Sequence, residues 1–383
     1  MKTHRWLMGI AILYFALFFF HALILQKIVF GDGIFYFSWV RSVVVDRNIN
    51  FTDEYSHFGV TAPITSTNLL GNKHPVGTPL FWLPWYAQAS AIIRGSGYEL
   101  LFQLLVGSIS VLAAISGLIL LYRLLNKSFS PAMSLLSILS IAGATNLLFY
   151  GAVDPVNSHA ISFFAAVVFL SFLYSKNISS FLTGCALGFC ALVRTQDAIL
   201  GLLVLPIYLK SSFARPGLAK LRNVMIMIVG AILTFSPQLL AWYALYGTAF
   251  RSPYLSSGES FAWWSPNFFN VLFSPTNGLF LWTPVTLLAF IGLFFWKDIR
   301  RIWFIVVFLL AVIVVGSWST WWQGASYSGR MFVSVLPVLA FGLASLYKKL
   351  GMVGLTWQSV VMTIIGPLAI VNVILIIRFL LQT

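Results

Sequence analysis

The sequence predicts an all-α, polytopic membrane protein with about eleven transmembrane helices and a cytoplasmic N-terminus. Three observations predict it. Hydrophobic residues make up 60% of the chain and charged residues 8%, with a mean hydropathy of +0.92, whereas a soluble domain carries roughly a quarter charged residues. Several apolar runs reach the ~20 residues that a spanning helix needs. The basic residues behind the net charge of +14 sit between those runs, which the positive-inside rule explains better than nucleic-acid binding does. No polar segment could form a soluble domain, so residues 1–383 read as one transmembrane unit. Cys185 and Cys190 share one apolar run and suggest helix packing, not a disulfide framework or a metal site.

Lys2 and Arg5 precede the first run, Trp6 to about Phe30, and place the N-terminus inside. That run is too long for a signal-peptide core and lacks a small-residue cleavage site, so it reads as a retained helix. Pro79–Ile93 is short for a span, contains Pro79 and Pro84, and is rich in Trp and Tyr. It reads as a helix lying in the interface within a first extracytoplasmic loop, residues 31–97. That choice puts Arg123, Lys127, Lys176, Lys210, Arg215, Lys220, Arg222, Lys297, Arg300, Arg301, Lys348 and Lys349 inside; a spanning reading would put them all outside. The further spans then fall near 99–122, 131–150, 158–174, 178–193, 196–209, 223–245, 279–296, 302–317, 331–347 and 354–377.

This arrangement places eight of the nine acidic residues at the outer face: Asp32, Asp46, Asp53, Glu54, Glu99, Asp154, Asp197 and Glu259. Arg41, Arg47, Lys73, Arg94, Arg194, Arg251 and Arg330 join them there. Ionisable groups near a bilayer are costly without a partner or a task, so their convergence on one surface marks an extracytoplasmic site roofed by loops.

Asp32 is the leading catalytic candidate. It sits in Gly-Asp-Gly directly after the first span, where glycines let the backbone turn sharply, and a helix over about 34–46 follows. Capping that helix is its bland alternative. Asp53 and Glu54 form an adjacent acidic pair that could hold a divalent metal or bridge to Arg47. Lys73-His74, at the start of the interfacial helix, suits a phosphate, against ordinary anchoring of Lys73. Asp154 and His159 flank the turn DPVNSH, with Asn157 and Ser158 as capping candidates. A histidine in the first turn of a span tends to face a polar cavity.

Arg194 has Asp197 one helical turn away as a bland partner and a lipid phosphate as a sharper one. Arg330 has no nearby acid in sequence, which favours an anionic ligand there over Arg194. Residues 246–277 are polar, aromatic and proline-interrupted, and read as a lid or substrate loop. In it, Trp263 and Trp264 could stack on a sugar ring or anchor the interface. No Walker loop, HExxH, GxSxG or Cys/His metal spacing occurs, so nucleotide hydrolysis, proteolysis and lipase chemistry have no support.

The motifs GDGIFYF, KHPVGTPLFWL, DPVNSHAISFF and GFCALVRTQDAIL, with the late WWQGASYSGR loop, together resemble the GT-C glycosyltransferase superfamily. That superfamily includes the dolichyl-phosphate-mannose protein mannosyltransferases and the aminoarabinose lipid A transferases. The resemblance implies a polyprenyl-phosphate-linked sugar donor, a lipid, glycan or protein acceptor, and inverting transfer on the extracytoplasmic face of a bacterial or archaeal plasma membrane, or of the endoplasmic reticulum membrane in a eukaryote. It implies Asp32 as general base on the acceptor hydroxyl, with Asp154, or His159 in another register, as the second-loop group. Many members carry two acids or an acid–basic pair where this chain has His74 and His159, which leaves a divalent metal open and no cofactor certain. The rivals are a transporter or lipid flippase, for which no internal repeat is evident, and a polysaccharide polymerase or ligase.

Overall fold

The computed structural model describes residues 3–175, 177, 179–210, 217–250, 252–256 and 258–382. Lys2, Lys176, Arg215 and Arg251, which entered the charge argument, lie outside the described residues. The described chain is helical and carries no strand beyond two isolated bridges.

Helix α1 (Thr3–Leu25) is followed by α2 (Asp32–Arg41), α3 (Thr52–Phe58) and α4 (Gly77–Ile92), then by α5 (Leu100–Leu125), α6 (Pro131–Ala144), α7 (His159–Leu173) and α8 (Ser180–Val193). A tighter 3-10 stretch over Thr195–Val204 leads into α9 (Leu205–Lys210) and α10 (Gly217–Tyr246). Short α11 (Pro253–Ser256), α12 (Phe268–Phe273) and α13 (Leu279–Trp282) precede α14 (Val285–Phe295) and α15 (Arg300–Ser317). The chain ends through α16 (Leu336–Met352), α17 (Trp357–Val360) and α18 (Gly366–Gln382).

Six helical stretches are long and apolar enough to cross a membrane: Thr3–Leu25, Leu100–Leu125, Lys220–Tyr246, Arg300–Ser317, Arg330–Met352 and Trp357–Gln382. Shorter apolar helices cover Pro131–Ala144, His159–Leu173, Ser180–Val193, Thr195–Ile207 and Val285–Phe295. Local chemistry explains why several of these are short. Pro284 breaks the run expected over 279–296 into α13 and α14. The run expected over 131–150 ends at Thr145, which is extended, with its hydroxyl bonded back to Ile141.

Small residues set the helix contacts, as they must where apolar association gains little from burial. Gly184 and Gly188, four residues apart on α8, let it lie directly on α10: a Cβ on either would strike the backbone carbonyl of Met227 or Ala231. The core runs through α5, α6, α7 and α16, where Phe163, Ala166, Leu339 and Phe341 are among the fully buried side chains. The first loop is not loose. Arg41 pairs with Asp46 and, at 2.8 Å, with Glu54, and its guanidinium stacks on Tyr98 at 4.0 Å. α4 is docked by Trp82, whose Nε1 donates to Ser110 of α5 at 2.9 Å, and by Tyr86, whose hydroxyl donates to the Gly97 carbonyl at 2.7 Å.

Candidate active site

Two glycines bring the sequence motifs together. A Cβ at Gly33 would sit 2.2 Å from the Val156 carbonyl oxygen, so only glycine lets the start of α2 rest on the turn that carries Asp154 and His159. A Cβ at Gly77 would lie 2.5 Å from the Leu192–Val193 backbone, so α4 abuts the end of α8 where Arg194 emerges. The result is a cavity of about 490 Å³. Its walls include Asp32, Tyr36, Lys73, His74, His159, Arg194 and Arg330, and from the loop over 246–277 Ser252, Tyr254, Glu259, Phe261 and Trp263.

Asp32 is the first residue of α2 and makes no cap: its N-cap is Gly31, with no side-chain capping bond. Its carboxylate instead faces the cavity, 36% exposed, and Oδ2 meets Arg330 Nη1 at 2.7 Å. Burial alone would raise its pKa, but Arg330 foremost, with Lys73 and Arg194, holds the carboxyl below the usual range. Arg330 therefore has a protein partner, contrary to the expectation that it lacked one. Its Nε remains buried without a hydrogen-bond acceptor among the described residues.

Arg194 is 7% exposed and forms no ion pair among the described residues. Asp197, one of the two partners the sequence offered, accepts from two hydroxyls, Ser162 at 2.6 Å and Ser334 at 2.7 Å. Arg194 stands in extended backbone ahead of the 3-10 stretch, so the regular one-turn spacing to Asp197 does not hold, and no ion pair joins the two side chains among the described residues. It contacts His159 Nδ1 and the Met331 sulfur. Arginine only donates, so His159 Nδ1 must accept and the imidazole proton sits on Nε2. A cation without a carboxylate thus lines the cavity beside a neutral imidazole.

His74 is buried among Phe35, stacked at 4.9 Å, Tyr36 at 5.1 Å and Tyr254 at 6.5 Å. Burial pushes its pKa down to about 4, so it is neutral near pH 7 and can donate a hydrogen bond but not a charge. Lys73 Nζ pairs with Glu259 Oε1 at 2.5 Å and lies 5.3 Å from the Tyr254 ring centre. Asp154 is not in the cavity wall. It ends the turn Phe149–Val153, and its own carbonyl accepts from Asn157. Burial, then the negative charge of Asp32, pushes its carboxyl up to about 7. Asn157, through Oδ1, bonds the His159 amide at 2.9 Å and so caps α7, while Ser158 makes no such bond.

Trp263 lines the cavity and stacks on Phe261 at 5.1 Å; Trp264 is wholly exposed and does not reach it. Asp53 and Glu54 also lie outside the cavity wall. Glu54 is held by Arg41, not Arg47, and Asp53 has no ion pair among the described residues. Among the described residues no group of three or more His, Cys, Asp or Glu is placed to hold a metal ion.

Sequence reasoning missed Glu259, Tyr254 and Trp318. Glu259 Oε2 accepts from Trp318 Nε1 at 2.6 Å while Oε1 holds Lys73. The scarcity of acids was the available signal for Glu259. Its partners, from the first loop and the late loop, are too far off in sequence to read.

No protein-family model and no curated protein matches this chain. Among solved structures it is similar to the oligosaccharyltransferase of Archaeoglobus fulgidus in its apo form, at a TM-score of 0.52 and 12% identity. The similarity covers 99% of this chain and 56% of that one, so this chain spans little more than half the length of the enzyme it matches. The fold is therefore GT-C-like, as the motifs implied. With its six long apolar helices, the chain is a membrane protein of that fold.

Proposed function

We propose that this protein is a membrane glycosyltransferase that moves a sugar from a polyprenyl-phosphate donor to an acceptor hydroxyl, with Asp32 as general base. One observation carries the reading: a cavity places an ionised carboxylate, Asp32, in the same walls as Arg194, a cation with no carboxylate of its own. Transfer needs both, a base for the incoming hydroxyl and positive charge for the leaving phosphate.

In this scheme the donor phosphate sits against Arg194, with Lys73 and the His159 Nε2 proton at hand. Guanidinium suits phosphate because its parallel N–H groups match two oxygens. The acceptor hydroxyl lies on Asp32. Its oxygen attacks the anomeric carbon as the bond from that carbon to the phosphate oxygen breaks; that electron pair leaves on the phosphate, and the hydroxyl proton passes to Asp32. Attack opposite the leaving group inverts the anomeric carbon. Arg330 keeps Asp32 ionised and aimed. The loop over 246–277 acts as lid or substrate loop, with Trp263 as the sugar-stacking candidate. The acceptor, as lipid, glycan or protein, approaches from the extracytoplasmic side, which the charge distribution favours. The eleven apolar segments then serve as the spans.

The test is sugar transfer by the purified protein in nanodiscs from a panel of polyprenyl-phosphate hexoses and pentoses. Transfer with inversion supports the proposal. Donor that crosses the bilayer without transfer would favour a flippase instead.

A further inference from the structure

The loop that delivers Arg330 is held from a helix that does not touch the cavity. α18 is apolar almost throughout, yet Asn372 sits within it, fully buried. An amide in such surroundings is costly unless every polar atom is satisfied. Here they are. Tyr327, also fully buried, donates its hydroxyl to Asn372 Oδ1 at 2.6 Å. Asn372 Nδ2 donates to the carbonyls of Gly143 at 2.9 Å and Thr145 at 3.0 Å, at the frayed end of α6.

The same stretch is gripped again on either side. Tyr150 donates its hydroxyl to the Tyr327 carbonyl at 3.0 Å, and Asn146 Nδ2 donates to the Gly329 carbonyl at 2.8 Å. Ser328, between them, adopts a left-handed φ of +50°, which a serine takes only when its surroundings impose it. Its carbonyl accepts from the Arg330 amide at 2.8 Å. A leucine at 372 would leave the Gly143 and Thr145 carbonyls without this donor, so the amide both closes the end of α6 and holds the Tyr327 turn.

We infer that Tyr327 and Asn372 are a positioning pair: from the last helix they fix the turn over 327–329, and so aim Arg330 at Asp32. This role presupposes Asp32 as the base proposed above. The experiment therefore has an arm that reads geometry and an arm that reads turnover.

Tyr327→Phe keeps the ring against Phe149 and Trp282 and removes only the hydroxyl. In a cryo-EM map of this variant in nanodiscs, the Arg330–Asp32 pair should open beyond hydrogen-bond reach. An unchanged pair overturns the inference, whatever reaction the protein catalyses. In the transfer assay, kcat should fall about tenfold with the donor KM changed less than about twofold. The acid limb of the pH profile should rise by about half a unit as Asp32 loses its nearest cation, its other charged or titratable neighbours being Lys73, Arg194, His74, Asp154, Tyr36, Tyr150 and Tyr254. Thermal stability that falls while the acid limb stays put would mark the pair as merely structural and overturn the inference. Asn372→Leu leaves the Tyr327 hydroxyl its second acceptor, the backbone carbonyl of residue 372 at 3.1 Å, and should shift the Arg330–Asp32 pair and the acid limb in the same direction but less. Failure of both variants to fold would equally assign the pair to stability. An open pair in the map with no transfer by the wild-type protein would uphold the positioning role and remove the proposed reaction.

Discussion

Arg330 and Asp32, from opposite ends of the chain, meet as an ion pair with Nη1 and Oδ2 2.7 Å apart. In the proposed reaction the contact gives the two arginines of the cavity different tasks. Arg330 is paired with the carboxylate, and Arg194 lines the cavity in contact with an imidazole and a thioether and with no ion pair among the described residues.

Arg194→Gln should therefore raise the donor KM, and Arg330→Gln should chiefly lower kcat. Loss of a charged hydrogen bond to phosphate costs on the order of 1.5–3 kcal/mol. Steady-state kinetics on both variants checks the division. A donor KM raised equally by the two would mean that Arg330 also holds the phosphate.

The carboxyl of Asp154 titrates near pH 7, raised by burial and by Asp32. The folded state thus holds this proton more tightly than the unfolded chain, whose aspartates titrate at about 3.9. Stability from this group is complete below that value and is lost as pH rises through about 7. Thermal melts of the wild type between pH 5 and 8 should show a falling melting temperature, and Asp154→Asn should flatten the slope. Parallel slopes would show that Asp154 is ionised throughout.

Much of this was legible in the sequence because the expensive residues were few. Asp32, Lys73, His74, His159, Arg194 and Arg330 were each singled out from local context, and the structure lines one cavity with all of them. Their pairing was not legible. Arg330–Asp32 and Lys73–Glu259 join residues far apart in the chain, and no local pattern encodes such contacts. Between Asp197 and a lipid phosphate as partner of Arg194 the local pattern could not choose, because one-turn spacing assumes a continuous helix, whereas Arg194 is extended. Trp263 and Trp264 are adjacent and chemically alike, so only the course of the loop could separate the cavity-lining ring from the exposed one.

Glu259 ties the loop over 246–277 to Lys73 and to Trp318, and the loop backbone adds Ala262 N to Ser317 O at 2.6 Å. Glu259→Gln should free Lys73 for an anionic headgroup. Because that pair is partly exposed, the gain should be modest, with farnesyl phosphate binding tighter by about two- to fivefold. Calorimetric titration in nanodiscs reads it directly, and weaker binding would show that Glu259 holds Lys73 in its binding position.

The charge distribution predicts a cavity that opens outside the cytoplasm. In a background without Cys185 and Cys190, an impermeant maleimide added to intact cells should label Thr61→Cys and spare Met352→Cys. The opposite pattern would place the cavity on the cytoplasmic side.

The most direct test of the central claim is sugar transfer by Asp32→Asn, with donor binding and thermal stability measured on the same preparation. The amide keeps the size of the side chain and can still accept from Arg330, but it cannot take the acceptor's proton. Turnover should fall by about two to four orders of magnitude while folding and donor binding persist. Near-normal turnover by Asp32→Asn would contradict the account and move the base elsewhere.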